Sequence, residues 1–141
     1  MATHHDVESH LVRMGVSFDS VGEGTWVIHA EEEHVGQIVV RHDPPILVFR
    51  CKIMDLPRAG DSAGLMRKLL ELNASGMLGA AYGLEGQSVV AVEVIQSDNL
   101  DANEFDAAVD GMMLSIGEHM PLLTQYVDRG PGAPAGRRGS A

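Results

Sequence analysis

Seven histidines are the side chains of this sequence best suited to chemistry, and His4, His5 and His10 crowd its start beside Asp6. On a helix, metal ligands must share a face at a spacing of three or four, which only Asp6 and His10 do. The His-Glu-x-x-His motif is absent. His29 and His34 bracket Glu31, Glu32 and Glu33, a set able to gather a divalent ion in a loop but read more simply as a solvated turn. His42 and His119 have no partner visible in sequence. Cys51 alternates in phase with Leu47, Phe49 and Ile53, which predicts a buried, inert thiol; a lone cysteine closes no internal disulfide and frames no zinc site. Met113-Leu114-Ser115-Ile116-Gly117 lacks the first glycine of a nucleophile elbow. Gly22-Glu23-Gly24 lacks the third glycine of a dinucleotide fingerprint, and no Gly-Lys-Ser/Thr phosphate loop occurs. The expectation is no catalytic residue, no metal and no cofactor.

Hydrophobic spacing then gives the elements that would position any site. Val7, Leu11 and Met14, closed by Gly15, predict a short amphipathic helix from Thr3 to Gly15. Val16–Val21, Thr25–Ala30, Gly36–His42 and Ile46–Met54 read as three or four antiparallel strands separated by turn chemistry. In the last of these, Arg50 and Lys52 face away from Leu47, Phe49, Cys51 and Ile53, so one sheet face is core and the other at least partly wet. A helix capped by Asp61 or Ser62 and ending near Asn73 carries Leu65, Leu69 and Leu72, with Met66 and Leu70 broadening its apolar side. Gly76–Leu84 and Ser88–Gln96 form the strongest hairpin signal. Its second strand is apolar on both faces and should be central or covered. Asp101 with Glu104 makes a capping box for a last helix striped by Phe105, Val109, Met112, Ile116, Met120 and Leu123, with Pro121 placed to kink or end it. The order α-β-β-β-(β)-α-β-β-α predicts an α+β fold, an antiparallel sheet packed by helices.

The chain has 141 residues, an apolar fraction of 45% and a net charge of −10, the size and composition of one globular domain. Residues 1–68 carry −3, residues 69–128 carry −10 with no Lys or Arg, and residues 129–141 carry +3. Nucleic acid and anionic membrane both require a basic face, so neither is expected as a partner. The start has no basic head or apolar stretch, and with no disulfide pairs a cytoplasmic location is expected. A single domain over 1–128 is expected, with 129–141, made only of Gly, Pro, Ala, Arg and Ser, as a disordered tail. Val89, Ala91 and Ile95 with Met113 and Leu114 offer more apolar surface than one small core needs, and are expected at a homodimer interface.

Leu69-Leu70-Glu71-Leu72-Asn73, the hairpin Gly79-Ala80-Ala81-Tyr82-Gly83-Leu84-Glu85-Gly86 with Val89–Ile95, and the helix start at Leu100, Glu104 and Phe105 resemble the type III secretion chaperone-like superfamily. Its members include class I, Tir-chaperone or CesT-type effector chaperones and YbjN-type proteins. The resemblance implies a non-catalytic homodimer that holds an extended, non-globular stretch of a client polypeptide without nucleotide. For YbjN-type relatives it implies a regulatory or adaptor module binding a folded protein partner. Strand alternation then nominates Val27, His29, Val39, Ile46 and Val48 as peptide contacts, with Val7 and Leu11 added if the first helix is partly exposed. A one-residue slip in register would exchange the two faces.

Overall fold

The computed structural model describes residues 1–30 and 35–126. Cap chemistry sets the ends of the first helix, α1 (His4–Met14): Thr3 Oγ1 accepts from the Asp6 N–H, the Asp6 carboxylate accepts from the Thr3 N–H, and Gly15 closes the helix at φ 75°. Four strands follow, β1 (Ser17–Gly22), β2 (Thr25–His29), β3 (Gln37–Asp43) and β4 (Ile46–Asp55). Helix α2 (Ser62–Ser75), capped by Asp61, leads to β5 (Ala81–Glu85) and β6 (Ser88–Gln96). Helix α3 (Ala102–Leu123) starts on the Asp101–Glu104 capping box and runs into a 3-10 turn, Thr124–Tyr126.

The six strands form one antiparallel sheet in the order β1-β2-β3-β4-β6-β5. This is the expected α+β fold with the fourth strand present, and the doubly apolar β6 is an interior strand. Because side chains alternate across a sheet, one face gathers Trp26, Ile28, Ile38, Val40, Leu47, Phe49, Cys51, Tyr82 and Ala91. The helices pack on that face through Val7 and Leu11 of α1, Leu65, Leu69 and Leu72 of α2, and Phe105, Val109, Met112, Ile116 and Leu123 of α3. Phe49 and Phe105 meet edge to face at 5.5 Å in its centre.

Three local expectations change. Gly76–Ala80 is loop rather than strand: the Leu78 N–H donates to Ser115 Oγ at 3.2 Å, and α3 approaches so closely that a Cβ on Gly111 would lie 2.7 Å from the Leu78 carbonyl. Backbone held by a helix in this way cannot pair with a strand. Met66 and Leu70 turn outward, with Leu70 68% exposed, so the buried stripe of α2 is narrower than its composition suggested. Pro121 lies inside α3, which continues to Leu123, because a missing donor in the last turn removes one hydrogen bond without breaking the earlier ones. The predicted loop around Glu31, Glu32, Glu33 and His34 and the tail from 129 lie outside the described residues.

Candidate functional site

Among the described residues, the sheet face opposite the helices is left uncovered. Strand pairing orders it in rows: Asp19, Val27, Val39, Arg50, Val92 and Ala81 lie across the sheet in one, and Thr25, Arg41, Val48 and Val94 in the next. Val94 is 53% exposed, Val27, Val39, Val48 and Val92 are half-buried, and Ile46 is exposed at the end of β4. The one fully covered residue of this face is Val90. It lies opposite Lys52, between the rows of Arg50 and Glu85, and those two side chains form an ion pair. Their aliphatic stems shield the valine while their charged ends stay wet.

The predicted contacts divide cleanly. Val27, His29, Val39, Ile46 and Val48 share the uncovered face, and His29 Nε2 meets Asp19 Oδ2 at 2.7 Å there. Val7 and Leu11 do not join them: they are 1% and 0% exposed, because α1 lays its apolar side fully onto the core. The expected dimer set splits as well. Val89 and Ala91 are fully buried beneath the helices, and Ile95 and Met113 pack half-buried against the same core. Leu114, 54% exposed on α3, is the member left on the surface. Val92, Val94, Arg41, Arg50 and Lys52 belong to the uncovered face and were not nominated. Their signal, the odd-even phase of β3, β4 and β6, is in the sequence, but which strand lies beside which is not.

The two sheet edges differ. On β5, Asn73 of α2 takes both edge-facing backbone groups of Tyr82, accepting from its N–H at 2.7 Å and donating to its carbonyl at 3.1 Å. A side-chain amide thus occupies the place of a pairing strand and blunts that edge. β1 pairs with β2 alone and is exposed from Asp19 to Gly22.

Elsewhere the histidines find most of their partners inside the fold, although His42 Nε2 and Ser97 Oγ are buried without a hydrogen-bond partner. His42, 3% exposed, meets His4 through Nδ1 atoms 2.9 Å apart, and Gly24 at φ 74° leaves the room: a Cβ there would lie 2.8 Å from the His4 ring. His10 stacks on Phe105, and His119 Nδ1 lies 2.8 Å from the Tyr82 hydroxyl. Burial holds His42 and His119 below the usual imidazole range and pushes the Cys51 thiol up, as desolvation of a charged form requires. Among the described residues, no group of three His, Cys, Asp or Glu could hold a metal ion.

Glu93 is the half-buried carboxylate on the helix side of the sheet, opposite Phe49 in register. Its Oε1 is buried without a hydrogen-bond partner, and burial raises its carboxyl above the ordinary value of 4.5. The folded chain therefore binds this proton more tightly than the unfolded chain. Its contribution to stability is present below about pH 4.5 and is lost as the pH rises through the folded value. Glu93→Gln is expected to raise Tm by about 2–5 °C at pH 7.5, with the gain vanishing toward pH 4.5; thermal scans across that range check it.

A protein-family model, CesT_Tir_1, matches residues 1–129. The chain belongs to the CesT_Tir_1 family. This is the CesT-type group of chaperones that its helix-end, hairpin and capping-box residues resemble. Solved structures repeat the fold at low sequence identity. A chain of the heterodimeric complex ExoU-SpcU from the type III secretion system of Pseudomonas aeruginosa aligns with a TM-score of 0.63 and 15% identity, covering 86% of this chain and 97% of its own. A chain of the ExsC-ExsE complex gives 0.65 and 17%, covering 87% and 97%. YbjN from E. coli gives 0.64 and 14%, covering 86% and 93%. A search of curated proteins finds no match. No helix among the described residues is long and apolar enough to cross a membrane.

Proposed function

We propose that this CesT_Tir_1 protein is a non-catalytic, cytoplasmic, homodimeric chaperone-like protein that binds extended segments of a client polypeptide on the uncovered face of its sheet. The observation that carries this reading is the convergence of Val27, His29, Val39, Ile46 and Val48 on one helix-free surface, extended by Val92 and Val94. Family membership supports it, as do two structural relatives that are complexes with a partner protein.

The energetics say what else the face needs. Ordering about 20 client residues costs on the order of 20–40 kcal/mol of backbone entropy, whereas burying about 1,000 Å² of apolar surface returns on the order of 25 kcal/mol. Backbone hydrogen bonding must supply the difference, and β1 is the edge open to strand addition because Asn73 occupies β5. Proteolysis of the protein recovered with its client tests the reading. One contiguous client segment should be protected. Protection of no segment would remove it, and binding only to a folded partner would favour the YbjN-like adaptor instead.

Pairing of two subunits draws on the outer side of α3, where Leu114 and Leu122 are 54% and 38% exposed. Light scattering at micromolar concentration is expected to give twice the chain mass of 15.1 kDa. Leu114→Glu should shift the population toward single chains, since a charge placed in an apolar contact must be desolvated. A wild-type protein scattering as one chain would contradict the dimer.

A further inference from the structure

On the uncovered face, Gln37 and Val39 stand two apart on β3, Arg50 and Lys52 stand two apart on β4, and Val39 lies directly opposite Arg50. The four side chains make a square around an open depression of about 260 Å³ on the sheet surface. Its apolar member is a half-buried valine; the other three carry N–H donors. Arg50 bonds Glu85, and Lys52 Nζ lies 3.1 Å from Asp55. A guanidinium has five N–H donors, an ammonium three and an amide two, so one such pairing leaves donors on each cation, and the Gln37 amide adds its own.

The charge around the square is uneven in a way that selects its occupant. Arg50 and Lys52 are successive same-face residues of a central strand, with Arg41 on the neighbouring strand, while Asp19, Asp43, Asp55 and Glu85 lie toward the ends and edges of the sheet. The helices carry the opposite balance: Asp6, Glu8, Glu71, Glu104, Asp106, Asp110 and Glu118 outnumber Arg13, Arg67 and Lys68 on α1, α2 and α3. A carboxylate approaching this protein is therefore repelled from the helices and attracted to the middle of the sheet.

We infer that the square of Gln37, Val39, Arg50 and Lys52 is a side-chain subsite for a carboxylate, and that the segment bound on this face carries an acidic residue between apolar ones at alternate positions. The flanking apolar positions face Val27, Val48 and Val92, while the carboxylate takes donors from Arg50, Lys52 and Gln37. This rests on the polypeptide-binding reading above and adds the chemistry of the client to it.

Fluorescence anisotropy with labelled peptides built on the pattern Val-Ser-X-Ser-Val, in which X is Glu, Gln or Lys, tests it on the full-length protein. The Glu peptide is expected to bind about tenfold more tightly than the Lys peptide, with the Gln peptide between them and the advantage lost at about 0.5 M salt. Arg50→Gln with Lys52→Gln should abolish the preference. Lys52→Glu alone, a substitution at an exposed site, should reverse it toward the Lys peptide. Equal binding of all three peptides, or a Glu preference unaltered in both variants, would overturn the subsite while leaving polypeptide binding in place. No binding of any peptide would count against both.

Discussion

Replacing Val48 and Val94 together by aspartate is expected to weaken client capture about a hundredfold and to leave the fold standing. The two valines are direct partners across β4 and β6 in the middle of the uncovered face, one half-buried and the other 53% exposed, so neither contributes to the core beneath the helices. Covering a valine side chain completely is worth about 1.5–3 kcal/mol, and each aspartate would add the cost of removing a carboxylate from water. Within the free protein the change is mild: two like charges directly opposite one another on a sheet surface cost up to about 1 kcal/mol. Titration of the purified client against both proteins, with urea midpoints as a check on folding, measures the effect. Undiminished capture by a folded variant would place the client on another surface.

Asn73→Leu is expected to lower stability by about 1–3 kcal/mol, a large effect for one residue of an α2 that otherwise holds the core with leucines. The asparagine satisfies the N–H and the carbonyl of Tyr82 at once, in a part-buried setting at the sheet edge, and each such hydrogen bond lost costs about 0.5–1.5 kcal/mol. Leucine fills a similar volume and can answer neither group. Asn73→Asp keeps the acceptor for the Tyr82 N–H and loses the donor to its carbonyl, so an intermediate loss is expected. Urea unfolding curves with unchanged slope would read both values. The leucine variant should also associate at high concentration, since the freed edge of β5 becomes a template for another strand. A midpoint equal to that of the native protein would mean that Tyr82 finds other partners and that Asn73 does not guard the edge.

These two residues illustrate what could be read in advance. The parity of Val48 was legible, because Leu47, Phe49 and Cys51 on one side and Val48, Arg50 and Lys52 on the other follow from the period of two along a strand. That Val94 lies beside it was not, since β4 and β6 are separated by a helix and a strand, and nothing local encodes which strand neighbours which. Asn73 was visible only as the end of a helical pattern. Its role depends on where β5 passes, and β5 itself begins at Ala81 rather than at Gly76 because α3 captures Leu78 first. The histidines make the same point. His42 and His119 have no neighbour in sequence able to bond them, yet each has one in space, His4 and Tyr82.

By itself, then, the order of residues determined the kind and order of the elements, the Gly15 cap of α1, the capping box of α3 and the in-or-out phase of most strand residues. All of these are set by interactions within about one turn of helix or two residues of strand. Tertiary structure decided the rest: that all three helices fall on one face, so that Val7, Leu11, Val89 and Ala91 are sealed while Val27, Val39 and Val48 are left open, and that Gln37, Val39, Arg50 and Lys52 meet in one square. Strand neighbours and helix placement depend on how the whole chain can bury its apolar area at once, a condition that no short stretch of it contains.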